Sequence, residues 1–382
     1  MYRYKSILIL PLLLLSSCSS VGNIFPWGSN KNEIVYTPKA TMVAKWSYRL
    51  GDNESGLFTP SLQNNFIYAA GGDRQVAKIA RESGKPTWRI KLKLKNDSLS
   101  SGVGAGSNLA VVGTKEGLVI ALDANGKKRW QANLTSSLQT APQIFGDIVI
   151  ARSTDSRIFA LHANGGKTIW VYERELPPLV LAANPMVAFS HGVIYAGMPG
   201  GILSALELQT GRVLWEQAIT IPRGASDIDR VADISSQPLA EDDAVYVAAY
   251  QGRVAKLRVS DGAVLWARDI SSYAGLDGTS DRIFVSAADG AVYALDKATG
   301  ETLWVDDHLR GRALTKPLYH DGYVIIGDDS GHVNLFDPIK GSLIGRRPLD
   351  KTPLRTPPIT DQKNVFIETQ GGRVYCLETK PL

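Results

Sequence analysis

The chain holds little of what active sites and disulfide frameworks are built from. Two cysteines, Cys18 and Cys376, stand among 382 residues, and the five histidines (His162, His191, His308, His320, His332) fall without metal-ligand spacing. The patterns H-E-x-x-H, G-x-S-x-G and C-x-x-C are absent, which removes the usual zinc hydrolases, serine hydrolases and dithiol oxidoreductases. Gly165-Gly166-Lys167-Thr168 ends like a phosphate loop, but Leu161 stands where that loop's first glycine belongs. Asp328-Asp329-Ser330-Gly331-His332 completes no calcium-loop pattern and has the composition of a turn. Charge of one sign is also scarce. The 42 basic and 37 acidic residues are scattered, apart from Lys91, Lys93 and Lys95 on one expected strand, so no nucleic-acid footprint exists. No apolar run reaches the roughly 20 residues of a membrane-crossing helix. Neither catalytic residues nor a bound cofactor or metal are expected.

The amino terminus reads as a secretory signal over residues 1–17. Arg3 and Lys5 make a basic start, residues 7–15 an apolar run too short to span a bilayer, and Leu15-Ser16-Ser17-Cys18 follows. That ending resembles the bacterial lipobox. The resemblance implies cleavage before Cys18, a lipid on its thiol and acylation of its new amino group. Ser19 in place of Asp implies the outer membrane as destination. Several acyl chains are required for stable anchoring, since a single chain holds only marginally. Cys376, in the apolar run Val374-Tyr375-Cys376-Leu377, then has no partner, and no disulfide is expected. Residues 18–40 are polar and read as a flexible tether; residues 41–382 read as one domain.

What the chain does have is repetition. Residues 289–304, D-G-A-V-Y-A-L-D-K-A-T-G-E-T-L-W, read as strand, tight turn and strand. The unit recurs with Trp46, Trp88, Trp130, Trp170, Trp215, Trp266 and Trp304, and once more at Gly345, where the Trp is lost. Four residues before each of the last seven of these positions stands a glycine: Gly84, Gly126, Gly166, Gly211, Gly262, Gly300 and Gly341. A turn at positive φ is the expected reason. A second glycine precedes most inner strands, with Arg74 and Ser156 in its place in two copies. Upstream, Pro60, Pro142, Pro238 and Pro317 lie at a fixed distance before the Trp position. A period of about 40 residues with four short strands each is the signature of propeller blades, and the Trp is the expected filler between them.

The expected fold is therefore all-β, an eight-bladed β-propeller of four-stranded blades. The blades span residues 59–92, 102–134, 141–172, 184–219, 237–270, 276–309 and 316–349, plus a composite. The lone strand around Trp46 and the three strands of residues 357–382 each lack what the other supplies. Pairing the N-terminal strand with the last three closes the ring and removes open edges.

Irregularity gathers in two connections, expected as neighbours on one face. One carries Pro177-Pro178-Leu179-Val180-Leu181, hard to pair into a sheet. The other runs 23 residues from Trp215 to Pro238, against 10 to 15 for most. Function is likeliest where a rigid scaffold carries irregular loops.

The motif A-L-D-x-x-T-G-x-x-x-W at residues 294–304 resembles the repeats of quinoprotein (PQQ) dehydrogenase propellers. Their quinone site uses an adjacent cysteine pair and calcium, and this chain has no such pair. A closer resemblance is to the BamB family, lipoproteins of the outer-membrane β-barrel assembly (BAM) machinery. Asp227-Ile228-Asp229-Arg230-Val231-Ala232-Asp233 looks like that family's I-D-R-x-x-D segment, and Leu179-Val180-Leu181 like its L-x-L segment. The resemblance implies a non-enzymatic scaffold facing the periplasm that docks the POTRA domains of BamA. Leu179 and Leu181 would be apolar anchors, and Asp229, Arg230 and Asp233 would orient the partner by charge. Ala182 and Ser235 depart from the family's usual Arg and acidic residue. Two other readings are a PQQ-type oxidoreductase and a periplasmic chaperone taking nascent β-barrel strands by edge pairing.

Overall fold

Strands buried on both faces need continuous apolar runs, and the second strand of each repeat supplies them: residues 109–113, 148–152 and 244–248 are buried throughout. In the computed structural model, which describes residues 34–51, 56–181, 185–220 and 231–382, the strands form eight four-stranded antiparallel sheets. Seven run in chain order, for example 143–145, 148–152, 158–162 and 168–172 in blade 3. The eighth joins strand Ala40–Arg49 to strands Ile359–Thr360, Val365–Glu368 and Arg373–Pro381, so the ring closes as the sequence leads one to expect. Apolar clusters fill the junctions between successive blades. Ile148 and Ile158 of blade 3 meet Ile194 and Leu206 of blade 4, and Ile67 and Ile79 of blade 1 meet Phe366 and Val374 of the composite blade.

Each tryptophan reaches across one of these junctions. A register shift just before the Trp leaves one unpaired residue in every outer strand, as between Ala294↔Trp304 and Leu295↔Thr302. The indole nitrogens then donate to carbonyls of the next blade's last turn: Trp46 to Arg81 at 2.9 Å, Trp130 to Ala163 at 2.7 Å, Trp215 to Val259 at 2.8 Å, Trp304 to Pro338 at 3.0 Å. Trp88, Trp170 and Trp266 do the same with Ala124, Leu208 and Lys297. The ring face lies on the glycine of that same turn. A Cβ on Gly166, at φ 72°, would come within 2.4 Å of Trp130, and one on Gly341 within 2.5 Å of Trp304. The glycine repeat therefore meets two demands, a left-handed turn and a seat for the preceding blade's indole.

The lost tryptophan has its cause at the seam. After blade 7 comes the composite blade, whose two outer strands come from opposite chain ends and share no turn. The place of an indole at Gly345 is filled by backbone, since a Cβ there would lie 2.4 Å from Ala40 O. Lys39 N donates to Ile344 O at 2.8 Å and Leu382 N to Lys39 O at 2.9 Å, holding the two termini together. Met42, four residues before Trp46 where other blades have glycine, is buried with Leu335 and Ile344. Large and small residues have exchanged places.

In the second turn Arg74 and Ser156 take positive φ, 71° and 62°, where most blades have glycine, and in blade 5 Gln251 (φ 48°) is left-handed in place of Gly252. Packing on the ring also reaches residues before 41. Ile34 and Tyr36 pack on the blade 6–blade 7 cluster that holds Leu343 and Trp304, and Tyr36 OH donates to Arg346 O at 3.1 Å. Ile34, Tyr36, Lys39 and Ala40 thus contact the blades; the rest of the expected tether, with Cys18, lies outside the described residues.

Separating the two demands on the turn glycines is straightforward. Gly166→Ala should destabilise the domain by about 2–4 kcal/mol in urea melts, from positive φ plus overpacking against Trp130. Gly146→Ala, at φ 63° with nothing within 4 Å of the added Cβ, should cost only about 1 kcal/mol; equal losses would remove the indole seat from the account.

Candidate functional site

The connection from blade 3 to blade 4 is fastened where it leaves blade 3 and where it reaches blade 4. Where it leaves strand Thr168–Tyr172, Glu173 pairs with Arg157 at 2.7 Å, and Arg174 pairs with Glu216 of blade 4. Tyr172 OH also donates to Glu216. Burial raises the Glu216 carboxyl, but Tyr172, Arg174 and Ser204 outweigh it and leave it below the ordinary carboxylate range. Burial, then the bond to Glu216, pushes the Tyr172 phenol up. At the far end Arg152, 3% exposed, donates to Pro185 O at 2.8 Å and Gly197 O at 2.9 Å. Its partners are carbonyls and the Met198 sulfur, and burial lowers its pKa to about 10, so it is still charged at neutral pH. Between these fastenings Leu176 and Leu179 project, 37% and 39% exposed.

Asp233 ties this connection to its neighbour. Residues 231–234 are buried, with Ile234 seated against Gly197, where a Cβ would approach to 2.2 Å. Asp233 is 3% exposed, and its carboxylate accepts from Leu181 N at 2.6 Å and Gly200 N at 2.8 Å. Pro177 lies against Gly200. The two unusual connections are neighbours, as expected. Asp233, however, is an internal clamp and not a residue on the rim, because both its oxygens are spent on backbone amides. Leu181 is half-buried where the connection meets the axial cavity, and Ser235 donates to Tyr273 O at 3.4 Å. Asp229, Arg230 and Ala182 lie outside the described residues. Arg152 carries no sequence signal; only the meeting of blades 3 and 4 over it reveals its part.

The axial cavity, about 270 Å³, is where the resemblance to quinoproteins would place chemistry. Leu57, Leu181, Met186, Tyr273, Lys316 and Arg355 line it, and none of its described lining residues is a carboxylate or a cysteine. That donor set does not fit a calcium ion and its quinone. Groups of three or more metal-ligating side chains are absent among the described residues.

The clamp yields a local prediction. Asp233→Ala strands two amides and should cost about 1–3 kcal/mol in local opening. Hydrogen exchange at Leu181 and Gly200 should rise by roughly tenfold or more while the melting temperature of the ring moves little; unchanged exchange at both amides would show that the clamp is dispensable.

Comparisons with known proteins agree with this architecture. The family model described as outer membrane protein assembly factor BamB matches residues 72–306 and 277–381. The chain is 35% identical to the Nitrosomonas eutropha BamB over 354 residues, 89% of this chain and 86% of that one. It is 32% identical to the Bordetella pertussis BamB over 373 residues, 97% and 96% of the two chains. The crystal structure of BamB from Moraxella catarrhalis superposes with a TM-score of 0.81 at 28% identity, over 88% of this chain and 99% of that one. The quinohemoprotein alcohol dehydrogenase from Comamonas testosteroni shares the fold at 14% identity, with a TM-score of 0.71, over 88% of this chain and 76% of that one. With a family model spanning most of its length and relatives at this level of identity, the chain belongs to the BamB family of outer membrane protein assembly factors.

Proposed function

We propose that this chain is a non-enzymatic scaffold of the outer-membrane BAM machinery, held to that membrane by lipid on Cys18 and facing the periplasm. Its docking surface for the POTRA domains of BamA is the pair of connections between blades 3 and 4 and between blades 4 and 5. The observation that carries the reading is the doubly fastened loop: Leu176 and Leu179 are held out in solvent while Arg152, Glu216 and Asp233 fix their base. Apolar residues held out on a rigid base, rimmed by charge, are what a protein partner buries at the centre of an interface. In this reading Leu179 is the central anchor and Leu181 supports it from the cavity side. Asp229 and Arg230 supply orientation by charge, and Asp233 acts from behind by holding the two loops together.

The oxidoreductase reading has less support. The sequence contains no adjacent cysteine pair, and none of the described residues that line the axial cavity is a carboxylate.

Substituting Leu179→Glu and Arg230→Glu, with Asp233 kept so that the clamp survives, should abolish co-purification with BamA while circular dichroism and melting stay unchanged. Recovery of the complex at wild-type yield would contradict the docking surface. Cys18→Ser should move the protein from the membrane fraction to the soluble periplasm; persistence in the membrane would contradict the anchor.

A further inference from the structure

The junction between blades 5 and 6 opens into a polar cleft of about 740 Å³ at the end of the strands opposite the docking connections. Its walls are the turns at residues 241–243 and 279–281, which join the first two strands of each blade, and the start of the blade 6 turn that carries Lys297. Part of this arrangement is architectural. Lys297 is buried and donates to Glu241 Oε1 of blade 5 at 2.6 Å and to Thr279 O. Arg81 and Asp361 make the same kind of inter-blade tie at 3.1 Å, between blade 1 and the composite blade.

The phenol beside that tie has no architectural duty. Tyr246 is 1% exposed and lines the cleft, with Lys297 Nζ 5.5 Å and Lys256 Nζ 5.6 Å from its ring centre. Its hydroxyl has no hydrogen-bond partner among the described residues. The equivalent positions in blade 6 and the composite blade hold Phe284 and Phe366, so packing does not call for a hydroxyl here. Burial, then Glu241 and Asp243, raises the phenol, which stays a donor at neutral pH. The carboxylates nearby are mostly occupied. Glu241 accepts from Lys297, Asp281 from the Thr279 hydroxyl and Arg282 Nε, and Asp296 from the amides of Ala298 and Thr299. Lys256, the cross-strand partner of Tyr246, pairs with no carboxylate among the described residues. Blade 1 has the same pair in Tyr68 and Lys78, but there the ammonium lies 4.1 Å from the Phe66 ring centre and donates to Ala124 O at 3.4 Å.

We infer that this cleft binds a small polyhydroxylated anion, an acidic sugar or a sugar phosphate, whose charged group is held by Lys256, Lys297 and the Tyr246 hydroxyl. The unoccupied groups around the phenol are donors, which is what carboxylate or phosphate oxygens require. A nearly buried hydroxyl is ordinarily bonded, and one facing a cleft is completed by what enters it. The exposed Asp243 carboxylate and Ser280 hydroxyl are left to take hydroxyls of the same ligand. The volume falls in the range of small-molecule sites and exceeds what a bare ion fills. This site goes beyond the assembly role and does not depend on it, since the proposed docking connections lie at the other end of the strands.

The test titrates the full mature protein by calorimetry with glucuronate and with glucose-6-phosphate, against glucose, inorganic phosphate and glutamate as controls. At least one anionic sugar should bind about tenfold or more tightly than every control, and the preference between the two distinguishes a carboxylate ligand from a phosphate. The indole N–H resonance of Trp266, whose ring lies 6.0 Å from that of Tyr246, should move on titration while that of Trp88 stays. Tyr246→Phe gives blade 5 the residue that blade 6 and the composite blade already have, so it should fold normally and bind about tenfold more weakly. Lys256→Met should lose a similar factor, and Lys78→Met in blade 1 should lose nothing. Absence of heat and of the Trp266 shift up to about 10 mM of both sugars, binding of glucose, phosphate or glutamate as tight as that of the anionic sugars, or unchanged affinity in Tyr246→Phe would overturn the inference.

Discussion

One contact is repeated around the molecule and everything else is placed by it: an indole from one blade lying on the turn glycine of the next, with its N–H bonded to a carbonyl in that turn. The contact joins consecutive blades, so it converts eight marginal sheets into one ring. It needs glycine for steric reasons and for backbone reasons at once, and substitution at either partner disturbs both. Where the turn does not exist, because the two strands that would share it are the two ends of the chain, the tryptophan disappears. Met42 and the backbone of Ala40 then take up its volume.

A ring locked in this way gives its connections a fixed base. The blade 3 to blade 4 connection uses that base fully, with ion pairs at its start and a buried guanidinium under its end. Buried charges are costly unless satisfied; Pro185 O and Gly197 O accept from the two terminal nitrogens of Arg152, and two backbone amides donate to Asp233, although Arg152 Nε is left without a partner among the described residues. The result is that Leu176 and Leu179 stand exposed on a connection anchored to both blades. A surface of that kind loses little entropy when a partner covers it. A quinohemoprotein alcohol dehydrogenase shares the scaffold at 14% identity, so fold likeness by itself assigns no function.

The repeat, the blade boundaries and the composite closure were legible in the sequence because each rests on local periodicity or on a residue with a single steric purpose. Trp304 and Gly300 identify themselves. The reason for Gly345 was not legible, since it depends on which strand comes to lie next to it after the ring has closed. Asp233 reads as an orienting surface charge only through the resemblance of residues 227–233 to the family's I-D-R-x-x-D segment. Its burial is set by Leu181 and Gly200, distant in the chain. Arg152 was invisible for the same reason. Ile34, Val35 and Tyr36 fall in the expected tether because three apolar residues carry no repeat signal, and the packing of Ile34 and Tyr36 is set by blades 6 and 7 once the ring has closed.

The ring depends on the seven indole contacts acting as one system. Hydrogen exchange of the indole N–H groups of Trp46, Trp88, Trp130, Trp170, Trp215, Trp266 and Trp304, followed by nuclear magnetic resonance through increasing denaturant, tests this directly. Protection that is lost from all seven in one cooperative transition is the predicted result; indoles that exchange independently, each with its own blade, would contradict it.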